Sequence, residues 1–412
     1  MTSRERIRRA INHLEPDRVP IDIGGTKVTG IHIDEYIEIG KYLGLDIQPP
    51  KVYEQWQMLA RVDDLMMKWL HADVIQLENL TETWGFENKD WKVWTTNLGN
   101  DVLMPGSYNP IKDDKGYLRL YDVNGKPMAL MAPAGLYYDK DCPTKMSTGD
   151  YNFMDPADWK KSIPLYSEEE LRLLEKRAKF FYENTDYSVH GGFLKGGLGT
   201  NGIFAGQTIG DWMCILISET EYANSILRVT AERAVQNLEL YLQAVGKYID
   251  TILISGTDFG AQNGEIYDPD IFKELHRPNY KLINDYVHNN SNVKTMFHSC
   301  GSIFNIIEYF IDAGVDILNP VHTSTSNMEP EKLKQMFGDR IVFWGGGVDT
   351  QTVLPYGTKD DVIEQVKERI RIFGKGGGFV FAAVHNIQHG VPPQNVEAMI
   401  ETVMKYGVYS DQ

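Results

Sequence analysis

Along most of the chain, short apolar runs alternate with stretches whose apolar residues recur at helical spacing. Each apolar run ends on small or polar residues, the pattern of a parallel α/β architecture in which helices cover buried strands. The strand candidates are 187–190, 202–205, 250–255, 294–298, 315–319, 341–344 and 379–384. An earlier run at 73–77, ending on Glu78 and Asn79, brings the number to eight. Helical patterns at 168–182, 219–245, 269–287, 302–313, 330–337, 359–373 and 394–406 fill the intervals. Eight such units predict a (β/α)8 TIM barrel.

Before the first strand, Thr2 and Glu5 have the spacing of a capping box that opens a basic helix through His13, and the segment 15–20, EPDRVP, breaks it. A helical stretch over 53–70 is expected to lead into strand 73–77. Residues 80–150 change character: WGFENKDWKVWTT is rich in tryptophan, and GYLRLYDVNGKPMALM alternates around Asn124-Gly125, which predicts a hairpin with a type I′ turn. The expectation is one barrel over 1–412 with 80–150 as a β-rich insertion after its first strand. The aromatic residues there, Trp84, Trp91, Trp94, Tyr108, Tyr117, Tyr121, Tyr137 and Tyr138, either wall a pocket for a flat ligand or, more ordinarily, fill the insertion's own core.

Composition narrows the partners. With 42% hydrophobic and 24% charged residues in 412, the chain reads as an ordinary soluble globular protein. A net charge of −16 argues against nucleic acid or a bilayer surface as partner. The charged N-terminus does not read as a secretory signal, and no run of about 18 apolar residues is present to span a membrane. Cys142, Cys214 and Cys300 are odd in number and widely spaced, which points to no disulfide framework and to a reducing cytoplasm.

In a barrel of this kind the chemistry lies at the C-terminal ends of the strands. Five of the ten histidines, His190, His298, His322, His385 and His389, fall on or just past expected strand ends. His298 and Cys300 share a face of an extended backbone, and imidazole with thiolate suits a borderline-soft cation such as zinc. With His385 they make three ligands and leave one position open, as in catalytic zinc sites. The plainer alternative is a buried core cysteine beside a histidine bonded to a loop carbonyl. Asp349 is a candidate ligand or an orienting carboxylate, while His322 and His389 are weaker candidates. Asp258 and Gln262, in TDFGAQ, could bind a polar group of a substrate or simply satisfy loop donors. Gly197-x-Gly199-x-x-Gly202 has the letters of a dinucleotide loop but precedes an apolar run and opens no helix. The glycine-rich stretch at 374–378 reads as a helix stop.

EPDRVP at 15–20, TDFGAQ-x-G-x-I-x-x-P at 257–269 and FHSCGSI at 297–303 together resemble the uroporphyrinogen decarboxylase superfamily, above all its cobalamin-dependent methyltransferase branch. The likeness spans nearly the whole chain apart from the details of 80–150. It implies zinc held by His298 and Cys300, with His385 standing where those methyltransferases place a cysteine. Within the branch the chain looks most similar to O-demethylases of methoxylated aromatic compounds, which implies a corrinoid protein as partner and methyl acceptor. That reading makes Asp258, Asp349 and His389 candidate proton donors, and Glu78, Asn79, Gln262 and His322 candidate contacts for the aromatic substrate. Asp349, Glu364 and His385 form an alternative ligand spacing, disfavoured because Glu364 falls within a helix. The arginine-bearing loop of the decarboxylase itself is replaced here by IDIGGTKVTG, which ranks decarboxylation lower. A non-catalytic barrel that binds corrinoid or tetrapyrrole is the third reading, and a homodimer is the assembly kept open.

Overall fold

Seven of the eight expected strands pair in chain order into one parallel sheet: β1 Val74–Gln76, β2 Ser188–Phe193, β3 Thr251–Ser255, β4 Lys294–His298, β5 Ile317–Asn319, β6 Val342–Trp344 and β7 Phe379–Val380. The computed structural model describes residues 1–141, 151–199 and 204–409. Residues 202 and 203 of the remaining candidate lie outside them. Phe204 and Ala205 belong to no strand, and Ala205 has φ 50°. A different segment reaches the sheet's two edges. Asp22 N–H donates to the Phe381 carbonyl, Phe381 N–H to the Pro20 carbonyl and Asp73 N–H to the Ile21 carbonyl, each at 2.8 Å. Residues 20–22 thus stand between β7 and β1, and the curled sheet is TIM-barrel-like.

Alternation along the strands sorts the core into two layers. Val74, Leu253, Met296, Ile317, Val342, Trp344 and Val380 cluster with Ile7 and Ala10 of the first helix and Ile11 at its C-cap, so that helix closes the N-terminal end of the sheet. The opposite faces pack against the covering helices. The first helix, Ser3–Ala10, has the expected Thr2/Glu5 capping box, although it ends before His13.

The expected helix over 53–70 is instead a short antiparallel pair, Val52–Glu54 with Leu59–Ala60, followed by a helix confined to Asp64–Trp69. Glu54 accepts the N–H groups of Trp56 and Gln57 (3.2 and 2.8 Å), and Met58 sits at φ 53°, both incompatible with helix continuation. Helices at Ile33–Tyr42, Pro156–Ser162 and Ile209–Ser218 were not anticipated.

Between β1 and β2 the chain forms antiparallel strands, Lys92–Thr95 with Asp101–Met104 and a four-stranded sheet over Ile111–Lys112, Leu118–Tyr121, Pro127–Met131 and Asp139–Lys140. The hairpin at Asn124-Gly125 is present, but its turn is not type I′. Only Gly125 has positive φ (76°), and Asp122 takes the N–H groups of Asn124 and Lys126 (2.9 and 2.8 Å), which tightens a longer loop. Residues 142–150, with Cys142, lie outside the described residues. No described helix is long and apolar enough to cross a membrane.

Candidate metal centre

His298 is the last residue of β4 and points to the inner face, in register with Asn319 at the end of β5. Its Nδ1 lies 2.6 Å from Asn319 Oδ1, while Asn319 Nδ2 donates to the Trp344 carbonyl at 2.9 Å. The amide is therefore oriented with its oxygen toward the ring, so His298 carries its proton on Nδ1 and presents Nε2 as a lone pair. Cys300 Sγ stands 3.5 Å from that nitrogen. His385, on the loop after β7, brings its ring centroid to 5.3 Å from that of His298. The ligand atoms of His298, Cys300 and His385 all lie within 4.8 Å of one another.

Neighbouring backbone makes this convergence rigid. Gly301 has φ 88°, and a Cβ there would meet the Gly260 carbonyl carbon at 2.2 Å, so the turn after Cys300 requires glycine. Phe259 N–H donates to Ser299 Oγ and Cys300 N–H to Asp258 Oδ1, binding the TDFGAQ loop to the HSC turn. On the other side Asn386 accepts the Gly30 N–H and donates to the Lys27 carbonyl and Gln57, which clamps the loop that carries His385.

Burial pushes His385 down to about 3, helped by the nearby His298 and His322. Burial also lowers His298, against the opposing influence of Asp258 and the Asn319 bond. Both rings are thus neutral donors. Burial and Asp258 push the Cys300 thiol well up, and a dication is the group that offsets such a penalty by taking the thiolate. Two imidazole nitrogens and one sulfur at this separation fit zinc with one coordination position left over.

The other sequence candidates are distributed unevenly. Asp258 Oδ1 lies 3.9 Å from His298 Nε2, with the side chain 42% exposed. His322 accepts the Gly301 N–H at Nδ1 (3.2 Å), which leaves its proton on Nε2. Gln262 is on the same rim but donates to the Ser324 carbonyl. Asp349 Oδ1 accepts from the Thr352 N–H and hydroxyl and the Gln351 N–H; although burial opposes it, bonds from Ser324, Thr352 and Gln351 hold the carboxyl low. It organises its own loop. His389 lies against Glu35 (3.8 Å) and the His32 ring, and Glu78 is held in a bidentate pair by Arg61. Asn79 donates to the Phe193 carbonyl. Glu364 is 72% exposed and pairs with Lys367. His190 does not end its strand: β2 continues to Phe193, and the ring bonds Thr251. Sequence reasoning missed Asn319 as the group that orients His298; its only signal was a polar residue two positions beyond inward-facing Ile317.

Residues 203–406 match the uroporphyrinogen decarboxylase (URO-D) family model. The matched span begins just before Phe204 and contains His298, Cys300 and His385. Among solved structures, a methyltransferase from Methanosarcina mazei superimposes over 98% of this chain and 99% of that one, at 16% identity and a TM-score of 0.57, so the two share a fold. A homocysteine methyltransferase from Escherichia coli (12% identity, 62% and 78% covered, TM-score 0.27) and a GH53 catalytic domain from Ignisphaera aggregans (11% identity, 93% and 99% covered, TM-score 0.34) are too distant in shape to bear on the argument. No curated protein sequence matches the chain.

Proposed function

We propose that the chain is a cytoplasmic, zinc-dependent methyltransferase, one (β/α)8 barrel with a β-rich insertion, that removes the methyl group of a methoxylated aromatic compound and passes it to the Co(I) corrinoid of a partner protein. The observation that carries this reading is the meeting of His298, Cys300 and His385 at the C-terminal ends of the strands. The URO-D match and the fold shared with a methyltransferase support it.

An aryl methyl ether has a poor leaving group, because the carbon–oxygen bonding pair must depart on the oxygen as phenolate. Zinc bound by the triad would supply a Lewis acid for that oxygen. The residues do the rest by position. Asn319 holds His298 in one tautomer, and the Gly260–Gly301 contact keeps Cys300 on the same side as His385. Asp258, exposed at the rim beside His298, is placed to relay a proton from solvent water to the phenolate. Asp349 and His389 are less well placed, since the first is occupied by its loop and the second faces Glu35.

The test is a side-by-side assay of methoxybenzene derivatives and a quaternary methylamine with Co(I) corrinoid, followed by the visible spectrum. Loss of the Co(I) band with the ether, and phenol as product, is the expected outcome. Transfer from the amine alone would overturn the aryl-ether assignment.

A further inference from the structure

A cavity of about 400 Å3 opens beside the ends of β1 and β2, lined among others by Lys27, Asn79, Thr81, Glu82, Phe193 and Leu194. That volume suits a single substituted ring. Two lining side chains carry a buried oxygen with no partner among the described residues, Asn79 Oδ1 and Glu82 Oε1. The rest of each group is engaged. Asn79 Nδ2 donates to the Phe193 carbonyl, and Glu82 Oε2 lies 3.6 Å from Lys27 Nζ, which itself sits 4.6 Å over the Phe193 ring. The Glu82 side chain is 1% exposed.

An unpaired buried acceptor is costly, so two in one cavity favour a ligand that brings a donor. The surrounding charges narrow the kind of donor. An ammonium would face Lys27 and Lys195, and a carboxylate, which only accepts, would leave both oxygens unpaired. A neutral hydroxyl avoids both. Burial lifts the Glu82 carboxyl to about 8, against the pull of Lys27, and either protonation state keeps an accepting oxygen. The Lys27 carbonyl accepts from Asn386 Nδ2, and Asn386 follows His385, so the loop that lends Lys27 to the cavity is bonded to the loop that carries the third residue of the triad.

We propose that this cavity is a subsite for a free hydroxyl group on the substrate ring, which donates to Glu82 or Asn79 while the ring lies against Phe193. The proposal rests on the aryl-ether reading above and adds to it a preference for methoxyphenols over fully methylated rings.

Calorimetric titration of the full chain with 2-methoxyphenol and with 1,2-dimethoxybenzene tests it, because the two probes differ in the donor and keep the ring. The phenol is expected to bind about tenfold more tightly or better. Glu82→Leu should erase that preference, and Glu82→Gln, which keeps the shape of the side chain, should erase part of it. Equal binding of the two probes, binding of neither, or an unchanged preference in both variants would overturn the subsite. Methyl transfer to Co(I) corrinoid from both rings without preference would sink the subsite and leave the demethylase reading standing. Selective phenol binding with no transfer from either ring would do the reverse.

Discussion

The two ends of the barrel-like sheet treat polar groups in opposite ways. At the N-terminal end Asp73 is fully buried and completely satisfied: it accepts from Arg6 (2.6 Å), from Arg18 (2.8 and 3.1 Å) and from the Ile21 N–H (2.8 Å), while Asp17 takes the other side of Arg6. At the C-terminal end buried polar atoms stand open. His298 presents an imidazole lone pair beside a thiol, and Asn79 and Glu82 each keep an oxygen without a partner among the described residues. A closed network holds the chain segments that complete the sheet, whereas an open one is available to ligands. The contrast separates stability from chemistry within one fold.

The sharpest way to break the contrast is at its closed end. Asp73→Ala would leave two largely buried guanidiniums without their shared carboxylate and free the Ile21 N–H, and is expected to cost about 3–5 kcal/mol in denaturant unfolding. Its metal content per folded chain should not change. A comparable loss of zinc in this variant would show that the two ends are not separable.

At the open end, Asn319→Ala removes the acceptor that fixes the His298 tautomer without touching any ligand. Zinc affinity, measured by competition with a chromophoric chelator, should weaken about 10–100-fold. Unaltered affinity would mean that His298 needs no orienting partner.

The smallest effect is one of pH. Burial raises Glu82 and Glu35 to about 8 and Asp22 to about 6, so above the ordinary carboxyl range the folded chain holds protons that the unfolded chain has released. Unfolding then binds fewer protons than the native state, and stability falls as pH rises toward 8. At lower pH, once the unfolded imidazoles are mostly protonated, the sign is reversed by His190, His276 and His385, which burial holds near 3 and which take up protons on unfolding. Melting temperature should therefore decline from pH 6.5 to 8.5, and Glu82→Gln should flatten that decline by about 1–2 kcal/mol of stability. A parallel pH profile for the variant would contradict the raised carboxyl.

The same division governs what could be read in advance. Strand β4 was legible to its last residue, because a buried run ending on His298 needs only local alternation; the strand expected over 379–384 stops at Val380, so His385 reaches the candidate triad from the loop beyond it. The stave at 20–22 was missed although Val19, Ile21 and Ile23 alternate, since Pro20 looked like a breaker; only its carbonyl is used by the sheet, so the missing N–H costs nothing there. The 53–60 hairpin was hidden because its apolar spacing also suits a helix, and the deciding features, Glu54 bonding its own chain and Met58 at positive φ, are conformational. His190 was misplaced because the strand expected to end on it continues through Gly191 and Gly192 to Phe193. Three aromatic residues of the insertion serve its own packing: Tyr108 and Tyr138 share a 2.6 Å hydroxyl contact, and Trp94 meets Tyr108 edge-on. Phe193, on β2 itself, and Tyr166 are the rings that line the cavity beside the ends of β1 and β2. Asn319, Lys27 and Glu82 acquire meaning only from distant partners, which no local pattern encodes.

The central claim is that two histidines and one cysteine hold a zinc ion, and zinc-edge X-ray absorption of the purified protein tests it most directly. About one zinc per chain, with one sulfur at about 2.3 Å and nitrogen or oxygen donors at about 2.0–2.2 Å, is the expected result. Cys300→Ser should remove the sulfur shell and most of the metal. Zinc at full stoichiometry with no sulfur in its shell, or undiminished in the Cys300→Ser protein, would contradict it.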